Sequence, residues 1–397
     1  MAEKISVLHI LHELHPSGAE MMIRNAYPYW KDTCDSTVMA TGKIIGPFAD
    51  TLQETGYKIA YVPTRGAGKG AKLRHLLDFW KYMKTYHYDV VHIHRESLSF
   101  EYALIARLTG SSHIVRTVHS TFAHAGVQQK IKSATRWLMK HWLHVKFIAI
   151  SDGVAANEQK VFGNPCDEVI YNWCNNQKFT FISAEEKMAW KRGGQKVAGQ
   201  KSAWSKEIEW NCAAGMEDKL VLVTVGNCGP VKNHTVLLEA LAKSRQRERI
   251  CYLHVGYAKD KTEEEEALAE QLGIKEQVHF LGSTDPMPYL RQADVFLMTS
   301  IYEGLSIAAL EAIFTGMPVL LAEVPGLTEF KDKELCGVDY FISTPEQLAE
   351  KLDSYVELYD SGQLIPRIEQ RQRAEELYDC GRQAGRYVEV YRNSEGI

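Results

Sequence analysis

The stretch ADVFLMTSIYEGLSIAALEA, residues 293–312, decides how the rest of the chain is interpreted. Its first part, from Ala293 to Met298, is almost wholly apolar and predicts a buried strand. A turn that contains glycine follows, and a helix of small residues begins near Ser306. Such a helix directs unpaired backbone N–H groups and the positive end of its dipole into the turn. The sequence therefore predicts an anion-binding turn at the end of a buried strand.

Two glutamates accompany this turn. Glu303 lies in the turn itself, and Glu311 lies farther along the helix. Their carboxylates can accept hydrogen bonds from hydroxyl groups on either side of a bound anion. A sugar nucleotide has this layout, with sugar hydroxyls, a diphosphate and a ribose diol. Strands followed by glycine turns and Ala-rich helices are common in parallel α/β sheets, so two solvated surface glutamates would produce the same pattern.

Length and composition limit the possible classes of protein. The 397 residues are sufficient for two domains, and the content of 45% apolar and 24% charged residues is that of a globular protein. A net charge of -4 gives no reason to expect a nucleic-acid partner. The cysteines are scattered without metal-ligand spacing, and no apolar run approaches the ~18 residues of a membrane span. We therefore expect a cytoplasmic location and no bound metal.

Short apolar runs alternate with helical patterns in two consecutive series, which is typical of parallel strands covered on both faces. We predict an α/β protein of the GT-B type, with two Rossmann-like, doubly wound parallel sheets facing a cleft. The predicted parts are residues 1–175, a helical linker at 176–218 and residues 219–377, with a C-terminal helix at about 378–397 that packs back on the first domain. The predicted strands are Ile5–Leu11, Thr37–Ala40, Ile59–Val62, Val90–Ile93, Ile114–Val118, Phe147–Ile150, Val169–Tyr171, Leu220–Val225, Cys251–Val255, Val278–Leu281, Val295–Met298 and Val319–Leu321.

Open parallel sheets bind ligands at the carboxyl ends of their strands, so polar residues there are candidates for function. In the first half, Gly18 follows the first strand and allows close approach of a ligand to the backbone. His119 ends a later strand and is placed to hydrogen-bond a hydroxyl or accept a proton. His94, Arg95 and Ser120 are weaker candidates on the same side, which we assign to the acceptor of a reaction.

In the second half, Leu220–Val225 leads into a loop that contains Gly226, Asn227 and Lys232. A lysine at a turn into a helix can neutralise a diphosphate leaving group, although most lysines are simply solvated. Gly282 and Ser283 follow another strand and would form the wall for a nucleobase, on position alone.

Together these residues resemble the retaining glycosyltransferases of family 4, which have the GT-B fold, over nearly the whole chain. The strongest element is the E-x7-E pattern from Glu303 to Glu311. The supporting elements are each loose, but their order and spacing agree with that family. They are Ser17-Gly18-Ala19-Glu20, His119, Ile150-Ser151-Asp152-Gly153, Val169-Ile170-Tyr171-Asn172, Val225-Gly226 and Lys232-Asn233.

The resemblance implies a role for each matching residue. Glu303 would contact the transferred sugar, Glu311 the ribose, and Lys232 the diphosphate. The backbone of Gly304-Leu305-Ser306 would also face phosphate, and His119 would lie near the reacting centre. The resemblance further implies attack on the same face that the leaving group departs from, with a departing phosphate oxygen accepting the proton of the incoming hydroxyl.

One position departs from the family pattern. The family usually has an arginine directly after the glycine of the Val-Gly turn, and this chain has Asn227. The change removes a bidentate cation from the diphosphate site. No Asp-x-Asp pair occurs in the chain either, so we expect Lys232 and helix N-termini to replace a metal ion.

A basic segment of the sequence indicates where the acceptor of the reaction would bind. No Asp or Glu occurs from Tyr102 to Ser151, and residues 128–145 form a helical pattern that contains Lys, Arg, Trp and Leu. Such a helix can lie on an anionic membrane surface. It can equally pack its apolar stripe on the sheet and point its lysines outward.

Three functions fit the sequence. The first is a retaining, metal-independent transferase that moves a sugar from a nucleotide sugar, UDP-linked by default, to a lipid-linked or glycan acceptor in bacterial surface polysaccharide synthesis. It would work in the cytoplasm or on the inner face of the plasma membrane. The second is a GT-B sugar-nucleotide epimerase. The third is a non-catalytic sugar-nucleotide-binding protein, which Asn227 favours.

Overall fold

The computed structural model describes residues 3–121, 125–193, 218–256 and 262–392. The chain divides into two compact units, one of Met1–Cys174 with Tyr378–Ile397 and the other of Asn175–Leu377. Residues 194–217 of the predicted linker and 393–397 of the predicted C-terminal helix lie outside the described residues.

The first unit is built on a seven-stranded parallel sheet of order β3-β2-β1-β4-β5-β6-β7. Its strands are β1 Ile5–Leu11, β2 Cys34–Ala40, β3 Lys58–Tyr61, β4 Val90–Ile93, β5 His113–Val118, β6 Val145–Ala149 and β7 Glu168–Val169. Its helices before the second unit are α1 Gly18–Trp30, α2 Ala49–Thr55, α3 Gly68–Thr85, α4 Ser99–Leu108, α5 Gly126–His141 and α6 Asp152–Phe162.

The second unit is built on a six-stranded parallel sheet of order β10-β9-β8-β11-β12-β13. Its strands are β8 Leu220–Val225, β9 Ile250–Val255, β10 Val278–Phe280, β11 Val295–Met298, β12 Val319–Ala322 and β13 Val338–Phe341. Its helices are α7 Ala184–Gly193, α8 His234–Lys243, α9 Thr262–Gln271, α10 Met287–Gln292, α11 Ile307–Phe314, α12 Pro345–Asp360 and α13 Ile368–Tyr378.

The chain returns to the first unit in a last helix, α14, at Cys380–Arg392. Trp30 of α1 donates from its indole nitrogen to the carbonyl oxygen of Ala384 at 2.9 Å. The Tyr391 hydroxyl lies 2.7 Å from Nδ1 of His92, inside β4. These buried contacts hold α14 against the sheet of the first unit.

In each sheet, the order in which successive strands are added reverses at one point. In the first sheet β1 lies between β2 and β4, and in the second β8 lies between β9 and β11. The loops after β1 and β4, or after β8 and β11, therefore leave a crevice at the carboxyl ends of the strands, where open α/β sheets bind ligands. The apolar runs of the sequence become the central strands, and β11, for example, is buried along its whole length.

Several predicted strand ends differ from the observed ones by one to three residues, as at β7, which ends at Val169 and not at Tyr171, and three larger details also differ from the sequence-based expectations. The helix predicted over 128–145 is α5, Gly126–His141, and Val145 already belongs to β6. The strand β13 was not predicted. The described part of the predicted linker packs on the second unit, where the Lys191 ammonium lies 2.6 Å from a carboxylate oxygen of Asp294. Within the described residues, no helix combines the length and apolar character that crossing a bilayer requires.

Candidate active site

An ion pair lies at the switch point of the second sheet. The Lys232 ammonium, from the loop after β8, lies 2.7 Å from Oε1 of Glu303, in the turn after β11. The Ser300 hydroxyl donates to the same carboxylate oxygen at 2.8 Å. Both ends of the pair keep some solvent exposure, 25% for the Lys232 side chain and 16% for Glu303. A cation and a carboxylate that accepts from the Ser300 hydroxyl are therefore held side by side at the carboxyl ends of β8 and β11, where solvent reaches them.

Hydrogen bonds from the turn after β11 fix the loop that carries the lysine. The Ile301 amide donates to the Val231 carbonyl at 2.8 Å, and the Thr299 hydroxyl donates to the Lys232 carbonyl at 2.8 Å. Asn233 precedes α8 with a φ of 54°, a left-handed conformation that asparagine tolerates better than most residues. The lysine thus projects from a backbone that is restrained on both sides.

The turn that carries Glu303 requires a glycine opposite it. Gly326 has a φ of +84°, and a Cβ atom at this position would lie 2.1 Å from the Glu303 carbonyl oxygen. The Glu303 amide donates to the Pro325 carbonyl at 3.0 Å. A larger residue at position 326 would displace the turn and the carboxylate with it.

Helix α11 begins directly after this turn. The Ser306 hydroxyl caps it by accepting a hydrogen bond from the Ala309 amide at 3.3 Å. Gly304 and Leu305, the other predicted phosphate-facing residues, form the buried link between Glu303 and the cap. The predicted glycine turn and helix start are therefore present beside the Lys232–Glu303 pair, and the binding of an anion there stays a prediction.

Glu311 lies inside α11 and is almost completely buried, with 5% of its surface exposed. Burial raises the pKa of Glu311 to about 8; Lys178 opposes this rise and Asp285 adds to it. Lys178 and Asp285 form an ion pair of 2.7 Å, and Asp285 belongs to the segment after β10 that begins with Gly282 and Ser283. The predicted ribose ligand and the predicted nucleobase wall thus share an electrostatic environment.

Glycines pack the loops of the second sheet against each other. The Gly226 amide donates to the Val255 carbonyl at 2.9 Å, and the Gly256 amide donates to the Gly282 carbonyl at 2.9 Å. A Cβ atom on Gly256 would lie 1.9 Å from the Gly226 carbonyl oxygen and 3.2 Å from the Asn227 amide nitrogen. The loops after β8, β9 and β10, which carry Gly226, Gly256 and Gly282, are therefore adjacent, and only a glycine at position 256 allows them to approach so closely.

Histidines occupy the corresponding strand ends of the first unit. Nδ1 of His94 lies 2.9 Å from Nε2 of His119, and Nε2 of His94 lies 3.1 Å from Nδ1 of His9. Burial, with a smaller contribution from Arg116, lowers the pKa of His119 to about 4. Burial also lowers the pKa of His94 well below its usual value, and neighbouring histidines lower it further. His119 is thus a neutral imidazole whose ring is oriented by a second neutral imidazole.

The weaker candidates of the first unit have different surroundings. The Arg95 guanidinium donates to the hydroxyls of Thr41 at 2.6 Å and Ser97 at 2.6 Å, so it is committed to the loops after β2 and β4. Ser120 is partly buried next to His119. Gly18 opens α1, and the space around it is open, with no atom within 4 Å of an added Cβ.

The structure therefore gathers the candidates into two groups, one on each sheet. It also adds residues that the sequence did not single out, namely Thr299, Ser300, Gly256 and Gly326. Thr299 and Ser300 follow β11 directly, and their position at a strand end was an available signal. The importance of Gly256 and Gly326 follows from contacts between loops distant in sequence, which no local pattern reveals.

Two family models match the chain. One described as "Glycosyl transferases group 1" covers residues 210–375, and one described as "Glycosyltransferase Family 4" covers residues 16–178. The first of these regions contains the Lys232–Glu303 pair, and the second contains His94 and His119.

Two curated relatives are also named as glycosyltransferases. An uncharacterized glycosyltransferase, MJ1607, of Methanocaldococcus jannaschii is 26% identical over 67% of this chain and 65% of the relative, slightly less than two thirds of its length. The UDP-Gal:alpha-D-GlcNAc-diphosphoundecaprenol alpha-1,3-galactosyltransferase of Escherichia coli is 25% identical over 71% of this chain and 70% of the relative.

A solved structure has the same architecture. Anabaena Alr3699/HepE, crystallised with UDP and glucose, superposes with a TM-score of 0.77 over 98% of this chain and 99% of that chain, at 16% identity. At this identity the likeness concerns the fold. With the two parallel sheets, it shows that the chain has the GT-B fold, and the two family matches support its classification as a glycosyltransferase.

Proposed function

We propose that this chain is a retaining glycosyltransferase that moves a sugar from a nucleotide sugar, UDP-linked by default, to a hydroxyl of a lipid-linked or glycan acceptor. We further propose that it needs no metal ion on the diphosphate and that it serves bacterial surface polysaccharide synthesis. The observation that supports the proposal best is the Lys232–Glu303 pair of 2.7 Å beside the capped start of α11.

Each half of that pair suits one part of a sugar diphosphate. When the bond between the sugar and the phosphate breaks, negative charge develops on the departing diphosphate. The Lys232 ammonium and the first amides of α11 stabilise that charge, because they are fixed before the reaction begins. Glu303 accepts hydrogen bonds from sugar hydroxyls and keeps the anomeric carbon next to the cation.

Glu311 is proposed to hold the ribose. Its carboxyl group is buried and carries an elevated pKa of about 8, so it is costly to leave unpaired and gains from hydroxyl partners. His119 is proposed to act in the transfer step as a neutral hydrogen-bonding group. Its lowered pKa of about 4 keeps it uncharged across the physiological range.

A thermal-shift panel of UDP- and GDP-sugars, each with and without Mg²⁺, tests the donor. A ligand present at about one hundred times its dissociation constant stabilises the folded chain by ~2.7 kcal/mol. We expect one nucleotide class to raise the melting temperature, to the same extent with and without Mg²⁺. A shift that appears only with Mg²⁺ would contradict the metal-independent diphosphate site.

Two variants make the panel specific. Glu311→Ala should lose the shift from every nucleotide, because the ribose is common to all of them. Glu346→Ala is the control, since Glu346 is an exposed carboxylate paired only with the exposed Lys243 at 3.0 Å. A full nucleotide shift in Glu311→Ala would remove Glu311 from the ribose site.

Product analysis tests the reaction itself. The E. coli relative is named for transfer to a GlcNAc-diphosphoundecaprenol acceptor, so polyprenyl-diphosphate sugars are the first acceptors to try. NMR of the product should show the anomeric configuration of the donor. A nucleotide sugar of changed configuration, formed without any acceptor, would instead indicate an epimerase.

Helix α5 supports a proposed contact with an anionic membrane. Three of its basic residues turn towards acids outside the segment: Lys132 lies 2.9 Å from Glu96, Arg136 lies 2.8 Å from Glu158, and Lys140 lies 2.9 Å from Asp167. An apolar surface is left exposed instead, at Val127 (73%), Ile131 (58%), Trp137 (60%) and Trp142 (62%). The exposed apolar residues of α5, together with the exposed Lys130, would make the proposed contact.

Vesicle sedimentation tests this contact. The double variant Ile131→Ser/Trp137→Ser should bind less to vesicles that contain anionic lipid, because interfacial binding scales with buried apolar area. Ile342→Ser, an equally exposed apolar residue (59%) of the second unit, is the control. Equal binding of both variants would show that α5 does not mediate the contact.

A further inference from the structure

Four side chains of the types that ligate metal ions meet beside the loop that carries Lys232. Cys228 and His234 belong to that loop and to the start of α8, His254 lies on β9, and Glu265 lies on α9. One ligand atom each from Cys228, His234 and His254 lies within 4.8 Å of the others. The Glu265 carboxylate is 3.2 Å from the Cys228 sulfur and 3.1 Å from Nδ1 of His234.

The spacing of these atoms suits a tetrahedral zinc ion. With bonds of about 2.3 Å to sulfur and about 2.0 Å to nitrogen or oxygen, neighbouring ligand atoms lie roughly 3.3–3.6 Å apart. The two contacts of Glu265, 3.2 and 3.1 Å, already have about this spacing. The Cys228 sulfur lies 4.0 Å from Nδ1 and 3.8 Å from Nε2 of His254, so the imidazole would have to turn its Nδ1 towards the sulfur to complete the coordination sphere.

The outer contacts of His254 also match those of a metal ligand. Its Nε2 lies 2.9 Å from the Gly226 carbonyl oxygen, which can only accept a hydrogen bond. The proton must therefore be on Nε2, which leaves Nδ1 without a proton and able to ligate a metal ion. A metal-bound histidine almost always donates its other ring N–H in this way.

The charges of the cluster balance a divalent cation. A Cys228 thiolate and the Glu265 carboxylate together carry two negative charges, and the two imidazoles are neutral ligands. A divalent ion bound by these four groups would therefore leave no net charge in the cluster.

We propose that Cys228, His234, His254 and Glu265 bind one Zn²⁺ ion, which holds the loop Gly226–His234 and so fixes the position of Lys232. The ion is structural, and it is distinct from a metal that would bridge donor phosphates. No local pattern in the sequence predicts this metal site, because the ligands come from three separate segments and Glu265 is one of four consecutive glutamates. The proposal concerns metal binding alone and does not rest on the proposed transfer reaction.

Metal binding by the wild-type chain is the primary test. The tag-free full-length protein is stripped with a chelator, and Zn²⁺ is then titrated in competition with a chromophoric chelator. We expect one tightly bound zinc ion per chain. Co²⁺ in place of zinc should give the intense near-ultraviolet charge-transfer band of a thiolate ligand. Absence of stoichiometric zinc, or a Co²⁺ spectrum without that band, overturns the proposal.

Variants locate the site. Cys228→Ser should lose the Co²⁺ charge-transfer band and weaken zinc binding at least about 100-fold, and Glu265→Gln should weaken it at least about tenfold. The matched controls are Cys336→Ser, an exposed thiol, and Glu264→Gln, the exposed neighbour of Glu265. Zinc affinity in Cys228→Ser equal to that of Cys336→Ser also overturns the proposal. If a variant fails to fold, the Co²⁺ spectrum of the wild-type chain still decides.

The consequence for the loop is measured separately. Chelation with Mg²⁺ in excess should lower the melting temperature of the wild-type chain and leave that of Cys228→Ser unchanged. If zinc binds but the proposed transfer is absent, the metal site stands and the proposed function fails. If transfer occurs in a chain that never binds zinc, the proposed function stands and the proposed metal site fails.

Discussion

The two units place different chemistry at the same position of the same kind of sheet. In the first unit, His9, His94 and His119 form a chain through ring nitrogens 3.1 and 2.9 Å apart. Burial lowers the pKa of each, so the chain is neutral. In the second unit, the switch point holds the charged pair Lys232–Glu303. The shared topology thus fixes where functional residues lie, whereas their partners decide whether they are charged.

The two units also differ in charge at two clusters of side chains that could hold a metal ion. His9, His92 and His94 bring three imidazoles within 4.8 Å, but Nε2 of His92 lies 2.7 Å from Thr117 and its Nδ1 lies 2.7 Å from Tyr391. Both ring nitrogens of His92 are therefore committed, and a divalent ion would add an uncompensated buried charge. The cluster at Cys228 contains a thiol and a carboxylate that can balance that charge. Ligand spacing alone does not make a metal site, and charge balance distinguishes the two.

Removing the cation of the second unit should have the largest effect. Lys232→Ala should lower kcat by about 10²–10³, because a fixed charge that stabilises the leaving group is lost. Lys243→Ala, whose ammonium pairs with the exposed Glu346 at 3.0 Å, should leave turnover unchanged. Steady-state kinetics with the donor found in the thermal-shift panel measures both. A loss of less than tenfold in Lys232→Ala would mean that the charge at this switch point does not serve the reaction.

Removing the last histidine of the neutral chain should have the next largest effect. His119→Ala should retain donor binding but lower kcat by about 10²-fold, as expected for a positioned hydrogen-bonding or proton-transfer group. His87→Ala, at an exposed position of the same unit, is the control. Unimpaired transfer would exclude His119 from the site.

The pH profile sharpens this result. Because the pKa of His119 is about 4, its protonation should not reduce the transfer rate as the pH falls from neutral to about 5. A rate that falls with an apparent pKa near the ordinary histidine value of about 6.5, and loses that step in His119→Ala, would contradict the neutral chain.

Substitution of Glu311 should have a smaller effect, on the pH dependence of the free energy of unfolding. Its pKa rises from 4.5 to about 8 on folding, so between these values the folded state keeps a proton that the unfolded state has lost. Stability therefore falls as the pH rises through this window, by at most about 1.4 kcal/mol per pH unit. The side chain of the Glu311→Gln variant cannot ionise, so its stability should fall less steeply with pH.

Thermal unfolding of the wild type and Glu311→Gln at several pH values checks this sign. The advantage of the variant should grow from acidic to neutral pH, at roughly 2–4 °C for each kcal/mol in a unit of this size. Parallel pH profiles of the two proteins would show that Glu311 is ionised in the folded state. It would then share the charged character of Glu303.

Much of the fold was predictable, because buried parallel strands are short, continuous apolar runs. The exception is β13, whose sequence Val338-Asp339-Tyr340-Phe341 contains a charged residue. This strand forms the edge of its sheet, and Asp339 reaches a surface partner, with the Lys351 ammonium 2.8 Å from its carboxylate. An edge strand needs fewer apolar residues, so its pattern was too weak to recognise.

The candidate site was predictable only where its residues share a local pattern. Glu303 and Glu311 lie on one turn and helix, so their spacing in the sequence carried the information. The meeting of Cys228 with His254 depends on the pairing of β8 with β9, which no local spacing encodes. The direction of the basic residues of α5 was equally hidden, because Glu96 and Glu158 approach from outside the segment.

The smallest expected effect concerns Asn227, where the second unit lacks a charge. Asn227 directly follows Gly226 in the loop that carries Lys232, and the related pattern has an arginine there. Asn227→Arg should tighten donor binding by about tenfold, because a guanidinium can bind the diphosphate in bidentate fashion. Because the gain is electrostatic and partly exposed, it should shrink as salt is added.

Asn227→Gln is the matched control, with a longer side chain but no charge. Isothermal titration with the donor at two salt concentrations separates the two variants, and the zinc content of each shows whether the adjacent Cys228 site is intact. If the arginine variant binds the donor no better than the glutamine variant while the loop is intact, position 227 does not face the diphosphate. The positive charge at this switch point would then rest on Lys232 without help from its neighbour in the loop, and the loss of turnover in Lys232→Ala should be correspondingly severe.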